Sequence, residues 1–115
     1  MQITRFHPGP RYSQTVVHGD TIYLCGQSAE DEATNVTDQT RIVLERIDKL
    51  LAEQGSSKSK LLQVQVWLAD MKDYDAMNAV WDAWVDPNNT PGRATLAASM
   101  PHNGLLVEVI VIAAK

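Results

Sequence analysis

The segment TPGRATLAASMPHNGLLVEVIV, residues 90–111, contains the last two strands that the pattern predicts. It reads as two apolar strands joined by a polar turn, and each strand carries one charge. Arg93 opens the first strand, and Glu108 follows fifteen positions later in the second. Charged side chains are rarely buried unless they are paired or hydrogen-bonded. These two residues are therefore candidates for a function.

The second of these strands is apolar on both faces. Alternation separates its side chains into two sets, Leu105, Val107, Val109 and Val111 on one face and Leu106, Glu108, Ile110 and Ile112 on the other. Apolar residues on both faces are typical of a strand that is buried on both sides. Helices of a small domain can cover only one side, so we expect a closed homo-oligomer that packs sheet against sheet. The alternative, a face with Glu108 open to water, is disfavoured by the isoleucines beside it.

The remaining strands follow from turn residues and from alternation. Residues 3–7 predict a first strand that ends at Pro8, and residues 13–27 predict a hairpin around Gly19. LLQVQVWLAD, residues 61–70, alternates strictly and predicts a strand with one face in the core. Its core set is Leu62, Val64, Val66 and Leu68.

Two helices separate these strands. Apolar spacing predicts one from about Asn35 to Gln54, with Asn35 as N-cap and Gly55 just beyond its end. A second covers roughly residues 73–85, with an apolar stripe of Tyr74, Met77, Trp81 and Trp84. The order is βββαβαββ, and crossovers of the same hand place both helices on one face of a single mixed sheet. We expect an α+β two-layer sandwich, with residues 1–115 as one domain.

Composition narrows the classes of function. The chain has 115 residues, 44% hydrophobic residues and a formal charge of -4. An acidic surface without a basic run disfavours nucleic-acid binding. The single cysteine, Cys25, excludes an intramolecular disulfide and is compatible with a reducing cytoplasm. The histidines and the cysteine do not have the spacing of a metal site, and no segment predicts a membrane span. We expect a cytoplasmic protein, and assign no role to the histidines or the polar loop SAEDEATN.

Arg93 and Glu108 have two interpretations. In the first they form a structural ion pair. At ~4 Å and an effective dielectric near 20 the attraction is about 4 kcal/mol, which is comparable to the desolvation cost. In the second, Arg93 is a bidentate receptor for a ligand carboxylate, and a nearby carboxylate orients water or exchanges protons. Thr95, Ala97 and Ser99, on the same face as Arg93, are small and leave space for a ligand.

Three segments, in this order, resemble the RidA/YjgF family of enamine and imine deaminases: GPRYSQTVVHGDTIYLCGQ, NAVWDAW, and TPGRATLAASMP with LLVEVIVIA. The resemblance covers nearly the whole chain. It implies a chorismate-mutase-like fold and a homotrimer with sites in the clefts between subunits. It also implies hydrolysis of 2-iminobutanoate and 2-iminopropanoate to the 2-oxo acid and ammonia, without a metal or an organic cofactor.

The resemblance assigns roles to three catalytic candidates. Arg93 matches the arginine that holds the substrate carboxylate. Glu108 matches the glutamate that positions the attacking water, and Tyr12 matches the tyrosine of the site.

It also assigns residues of the pocket wall. Cys25 and Gly26 match a pair, usually serine and glycine, whose backbone lines the pocket. Thr95 matches a position that contributes through its main chain, and Asn78 matches an asparagine that we interpret as structural. A thiol without an activating histidine is more typical of a wall residue than of a nucleophile.

Three departures from the family pattern suggest an altered ligand, and one of them is Cys25 in place of the usual serine. Arg11 is inserted before Tyr12, and Ile110 stands where the family often has a second acid. A different class of function therefore stays open, a non-catalytic trimer that binds small carboxylates such as 2-oxo acids. Endoribonuclease or translation-inhibitor activity, also attached to the family, is disfavoured by the acidic charge and by the lack of a histidine pair or basic stripe.

Overall fold

The computed structural model describes all 115 residues. The elements occur in the predicted order: β1 Ile3–Pro8, β2 Ser13–His18, β3 Thr21–Gln27, α1 Val36–Glu53, β4 Leu61–Leu68, α2 Tyr74–Trp84, β5 Gly92–Ala97 and β6 Val107–Ala114. Two short 3-10 turns, Lys58–Lys60 and Met71–Asp73, precede β4 and α2 and were not predicted.

The six strands form one mixed sheet in the order β1-β2-β3-β6-β4-β5. Neighbours are antiparallel except β4 and β5, which are parallel. β6 lies between β3 and β4, so these two run parallel to each other and α1 connects them across β6. The helices pack together on one face of this sheet. The predicted two-layer α+β sandwich is confirmed.

The core lies between the helices and the central strands. One set of β6 side chains, which includes Val107, Val109 and Val111, is at most 1% exposed. α1 faces it with buried residues at helical spacing, Val43, Leu44, Ile47 and Leu51. Fully burying an aliphatic side chain of this size contributes about 1.5–3 kcal/mol. The core therefore fixes β6 at the centre of the sheet and determines which of its residues face away.

The ends of α1 have the chemistry that the sequence predicts. The Asn35 side chain accepts a hydrogen bond from the backbone N–H of Asp38 at 2.8 Å, so it is the N-cap. Gly55 follows the helix with φ +71°, a left-handed conformation that favours glycine. Both predicted boundaries are confirmed.

β5 and β6 are joined by residues 98–106, which include the predicted polar turn at residues 101–104, but the two strands are not neighbours in the sheet. β4 lies between them, and residues 98–106 cross its end. The backbone N–H of Ala98 donates to Leu68, and that of Ala69 donates to Leu106, both at 3.0 Å. The buried Gln39 side chain braces this crossing loop, donating to Gly104 and accepting from the Leu106 N–H.

Two assignments to the core are wrong. An irregular register at the start of β4 buries Leu61 and leaves Leu62 52% exposed. Tyr74 is 39% exposed, because it is the first residue of α2 and lies one turn before the buried Met77.

Candidate functional site

Glu108 lines a pocket on the face of the sheet opposite the helices. The pocket has a volume of about 330 Å³ and is lined by Tyr12, Cys25, Gly26, Ser28, Glu30, Pro101, His102, Leu105 and Glu108. Four of the six sequence candidates therefore come together, Tyr12, Cys25, Gly26 and Glu108. The other two, Arg93 and Thr95, lie elsewhere in the same protomer.

A β-bulge in β3 forms one wall of the pocket. Leu24 pairs with Val111 and Gln27 with Val109, so Cys25 and Gly26 together oppose the single residue Ile110. A bulge of this kind bends the strand and redirects its side chains, and bulges are frequent beside functional sites. The sequence did not predict it.

The bulge brings Gly26 against the Glu108 carboxyl group. A Cβ atom at position 26 would lie 2.7 Å from Cδ and 2.8 Å from Oε2 of Glu108. Cβ atoms do not approach other heavy atoms this closely. Glycine at position 26 is therefore what allows the carboxyl group to lie against the pocket wall.

The Glu108 carboxyl group is half-buried and has no basic partner. Burial, and then the negative charge of Glu30, raise its pKa above the ordinary value. A raised pKa brings the titration of a glutamate closer to neutral pH, where the group can both accept and donate a proton.

Cys25 lies beside Glu108 as a neutral thiol. Its Sγ donates to Gln14 Oε1 at 3.4 Å and accepts from Gln27 Nε2 at 3.3 Å. Burial, and then the charge of Glu108, raise the pKa of the thiol. Since the thiolate is the nucleophilic form, this environment does not activate Cys25. The geometry agrees with a wall residue.

Arg93 lies on the opposite face of the sheet from Glu108. In the sheet register it pairs with Val64, which is buried under the helices, whereas Glu108 pairs with Trp67 on the uncovered face. β4 also separates the two strands. Within one protomer the two charges therefore do not form an ion pair.

The Arg93 guanidinium is held by an aromatic ring instead of an acid. Its Cζ lies 5.1 Å from the centre of the Trp81 ring, a cation–π distance. The half-buried side chain makes no ion pair in the chain. Its planar N–H donors are thus positioned but available to a ligand anion.

Two buried oxygen atoms lie on the same two elements as Arg93 and Trp81. Thr95 Oγ1 on β5 and Asn78 Oδ1 on α2 have no hydrogen-bond partner. Buried polar atoms are nearly always bonded, so unpartnered ones require an explanation. The interpretation of Asn78 as a structural residue stays a prediction.

Tyr12 lies at the mouth of the Glu108 pocket and is 62% exposed. The loop before it is tight, since the Gly9 N–H donates to the Tyr12 carbonyl at 2.8 Å. The inserted Arg11 lines a neighbouring cleft and not the Glu108 pocket.

Two ionisable wall residues were missed from the sequence. Glu30 lies in the polar loop after β3, and His102 lies in the crossing loop between β5 and β6. These two loops meet in one pocket because β3 pairs with β6, with the bulge beside Glu108. Such long-range pairing is not apparent from the local sequence.

The fold and pocket define a class, small α+β proteins with six strands, two helices and a pocket at a bulge of the uncovered sheet face. Residues 2–115 match the family described as Endoribonuclease L-PSP. A RutC family protein from Haemophilus influenzae is 44% identical, with 98% of each chain covered. RutC family protein YoaB from Escherichia coli is 38% identical, with 99% of each covered.

Solved structures agree with this relationship. A member of the YjgF protein family from Neisseria meningitidis superposes with a TM-score of 0.97 at 41% identity, covering 100% of this chain and 96% of that one. The chain therefore belongs to the RutC/YjgF family, as the sequence resemblance indicated. Neither helix combines the length and apolar character that a membrane crossing requires.

Proposed function

We propose that the protein hydrolyses reactive 2-imino acids, and their enamine tautomers, to 2-oxo acids and ammonia in a cleft between two subunits of a homotrimer. The observation that carries this proposal is that Arg93 and Glu108 lie on opposite faces of the sheet, each without a partner of opposite charge. An unpaired guanidinium on one protomer and an unpaired carboxyl group on another are complementary to a substrate that is bound between them.

Arg93 of one protomer would hold the substrate carboxylate by two parallel hydrogen bonds. Trp81 stacks on the guanidinium and limits its orientation. Thr95 Oγ1 and Asn78 Oδ1 are buried and unpartnered on the same two elements, β5 and α2. Such docking provides proximity and orientation without a cofactor.

Glu108 of the neighbouring protomer would activate the water. The water oxygen adds to the imine carbon while the carboxylate takes a water proton. The carboxyl group gives that proton to the nitrogen, which yields a carbinolamine. The carboxylate then moves the hydroxyl proton to the amine nitrogen, the C–N bond breaks, and ammonia leaves as the C=O bond forms. One acid–base group typically contributes 10²–10⁴-fold, and a raised pKa brings Glu108 nearer to the working pH.

A non-catalytic trimer that binds small carboxylates is the second candidate. It is favoured by Ile110, an apolar residue where the family often has a second acid, which leaves Glu108 without that partner. Cleavage of RNA is disfavoured by the charge of -4, although the family description names an endoribonuclease.

A coupled assay tests the proposal. An amino-acid oxidase generates 2-iminopropanoate, semicarbazide traps it, and the protein competes with the trap. Wild type should suppress trapping and Arg93→Ala should not. Glu108→Gln should lower turnover by at least about tenfold while 2-oxo acids still bind. Arg41→Ala, which removes a surface arginine of α1, is the control. Wild type that binds 2-oxo acids through Arg93 but never suppresses trapping would support the binder instead.

A further inference from the structure

Glu30 presents a carboxylate to the Glu108 pocket that the proposed mechanism does not use. It is half-buried and lies on the same wall as Ser28, beyond the bulge of β3. Two residues further on, Glu32 pairs with Arg46, whereas Glu30 pairs with no basic side chain. The carboxylate of Glu30 is thus uncompensated where a substrate would enter.

The pocket contains no permanent positive charge. Its nine lining residues include two carboxylic acids and His102, but neither lysine nor arginine. After burial, the negative charge of Glu30 is the second cause of the raised pKa of Glu108. A substrate whose only charge is its carboxylate would meet Arg93 at one end and an acidic wall at the other.

We infer that Glu30 selects 2-imino acids with a cationic side chain, an amine or a guanidine, by pairing with that cation in the Glu108 pocket. The inference rests on the proposed function and names the substrate class of the same site. Glu30 is a specificity residue, and Arg93 and Glu108 keep their roles.

Charge and size both support this class. A cation beside Glu30 would offset the repulsion between the acidic wall and the anionic substrate, since charges within a cleft interact more strongly than in water. A volume of about 330 Å³ falls in the range of small-molecule sites and accommodates a straight side chain that ends in a charged group.

The test compares two imines, one with a cationic and one with an apolar straight side chain, generated by an amino-acid oxidase from arginine and from norleucine. The measured quantity is the ratio of their kcat/KM values. In wild type it should favour the arginine-derived imine. In Glu30→Gln, which retains shape and loses charge, we expect the ratio to fall at least about tenfold. Asp31→Asn removes an adjacent exposed acid that does not line the pocket, and should leave the ratio unchanged.

The outcomes separate the two proposals. If wild type hydrolyses both imines without preference, or if Glu30→Gln keeps the wild-type ratio, the role of Glu30 is overturned and imine hydrolysis stands. If neither imine is hydrolysed, the proposed function fails. In that case calorimetry measures the Kd values of the two corresponding 2-oxo acids for wild type and for Glu30→Gln. The ratio of these Kd values then decides the role of Glu30.

Discussion

Glu108 and Cys25 are neighbouring ionisable residues in the pocket, and the charge of one affects the ionisation of the other. The bulge places the thiol beside the carboxyl group, and the pKa of each is raised, mainly by burial. The charge of Glu108 raises the pKa of Cys25 further. The reactivity of the Cys25 thiol therefore depends on the charge of Glu108, and it can be measured without a substrate.

The rate at which iodoacetamide alkylates Cys25 should depend on pH and on the charge of Glu108. The thiolate reacts, so the rate rises as pH passes through the pKa of the thiol. In wild type we expect this midpoint above the ordinary value. Glu108→Gln removes a negative charge that opposes ionisation, so the midpoint should move to lower pH and the rate at pH 8 should rise. Glu45→Gln, on the exposed surface of α1, is the control. A midpoint that stays fixed or moves upward would show that the charge of Glu108 does not reach Cys25.

At the scale of elements, α2 and β5 together position the Arg93 guanidinium. Trp81 is 7% exposed and lies between the helix and the strand, with Arg93 over its ring. The neighbouring Trp84 donates to Asp48 on α1 at 2.9 Å, so this end of α2 is fixed to α1. The orientation of Arg93 thus depends on helix packing and on no acidic partner.

Trp81→Leu removes the ring and should weaken binding of 2-oxo acids about five- to tenfold, as expected for loss of a half-buried cation–π contact. In the imine assay the loss should appear in KM more than in kcat, since Trp81 acts through Arg93. Trp81→Phe keeps an aromatic face and should recover most of the affinity. Circular dichroism and thermal unfolding check that both variants fold. If Phe is no better than Leu in variants that are equally folded, Trp81 contributes only packing.

The sequence predicted those elements whose determinants are local. Asn35 and Gly55 sufficed for the ends of α1, and alternation sufficed for the two faces of β6. The bulge at Cys25 and Gly26 could not be predicted, because it exists only where β3 pairs with a strand about 85 residues later. The separation of Arg93 from Glu108 likewise depends on β4, which lies between two strands that are consecutive in sequence.

At the scale of the whole molecule, the uncovered sheet face indicates the assembly. The protomer is a slab of 42 × 37 × 21 Å with helices on one side only. The other side exposes Tyr23 and Leu96, at 42% and 39%, beside the half-buried Ile110 and Ile112. Apolar surface of this kind is typical of a contact between subunits. The proposed trimer would cover this face, and the proposed site requires Arg93 of one copy to lie near Glu108 of another.

Mixed trimers test this arrangement directly. Arg93→Ala and Glu108→Gln should each retain at most about a tenth of the wild-type activity alone, yet unfolding and refolding them together in equal amounts should restore imine hydrolysis. If each site takes its arginine from one protomer and its glutamate from the next, about a quarter of the sites are intact in a random mixture. Sedimentation of each variant at three times 12.7 kDa is the control for assembly. If both single variants are trimeric and the mixture recovers nothing, the two groups do not complete one site from different protomers. Because the sheet separates the two residues in each protomer, recovery near a quarter is the result we expect.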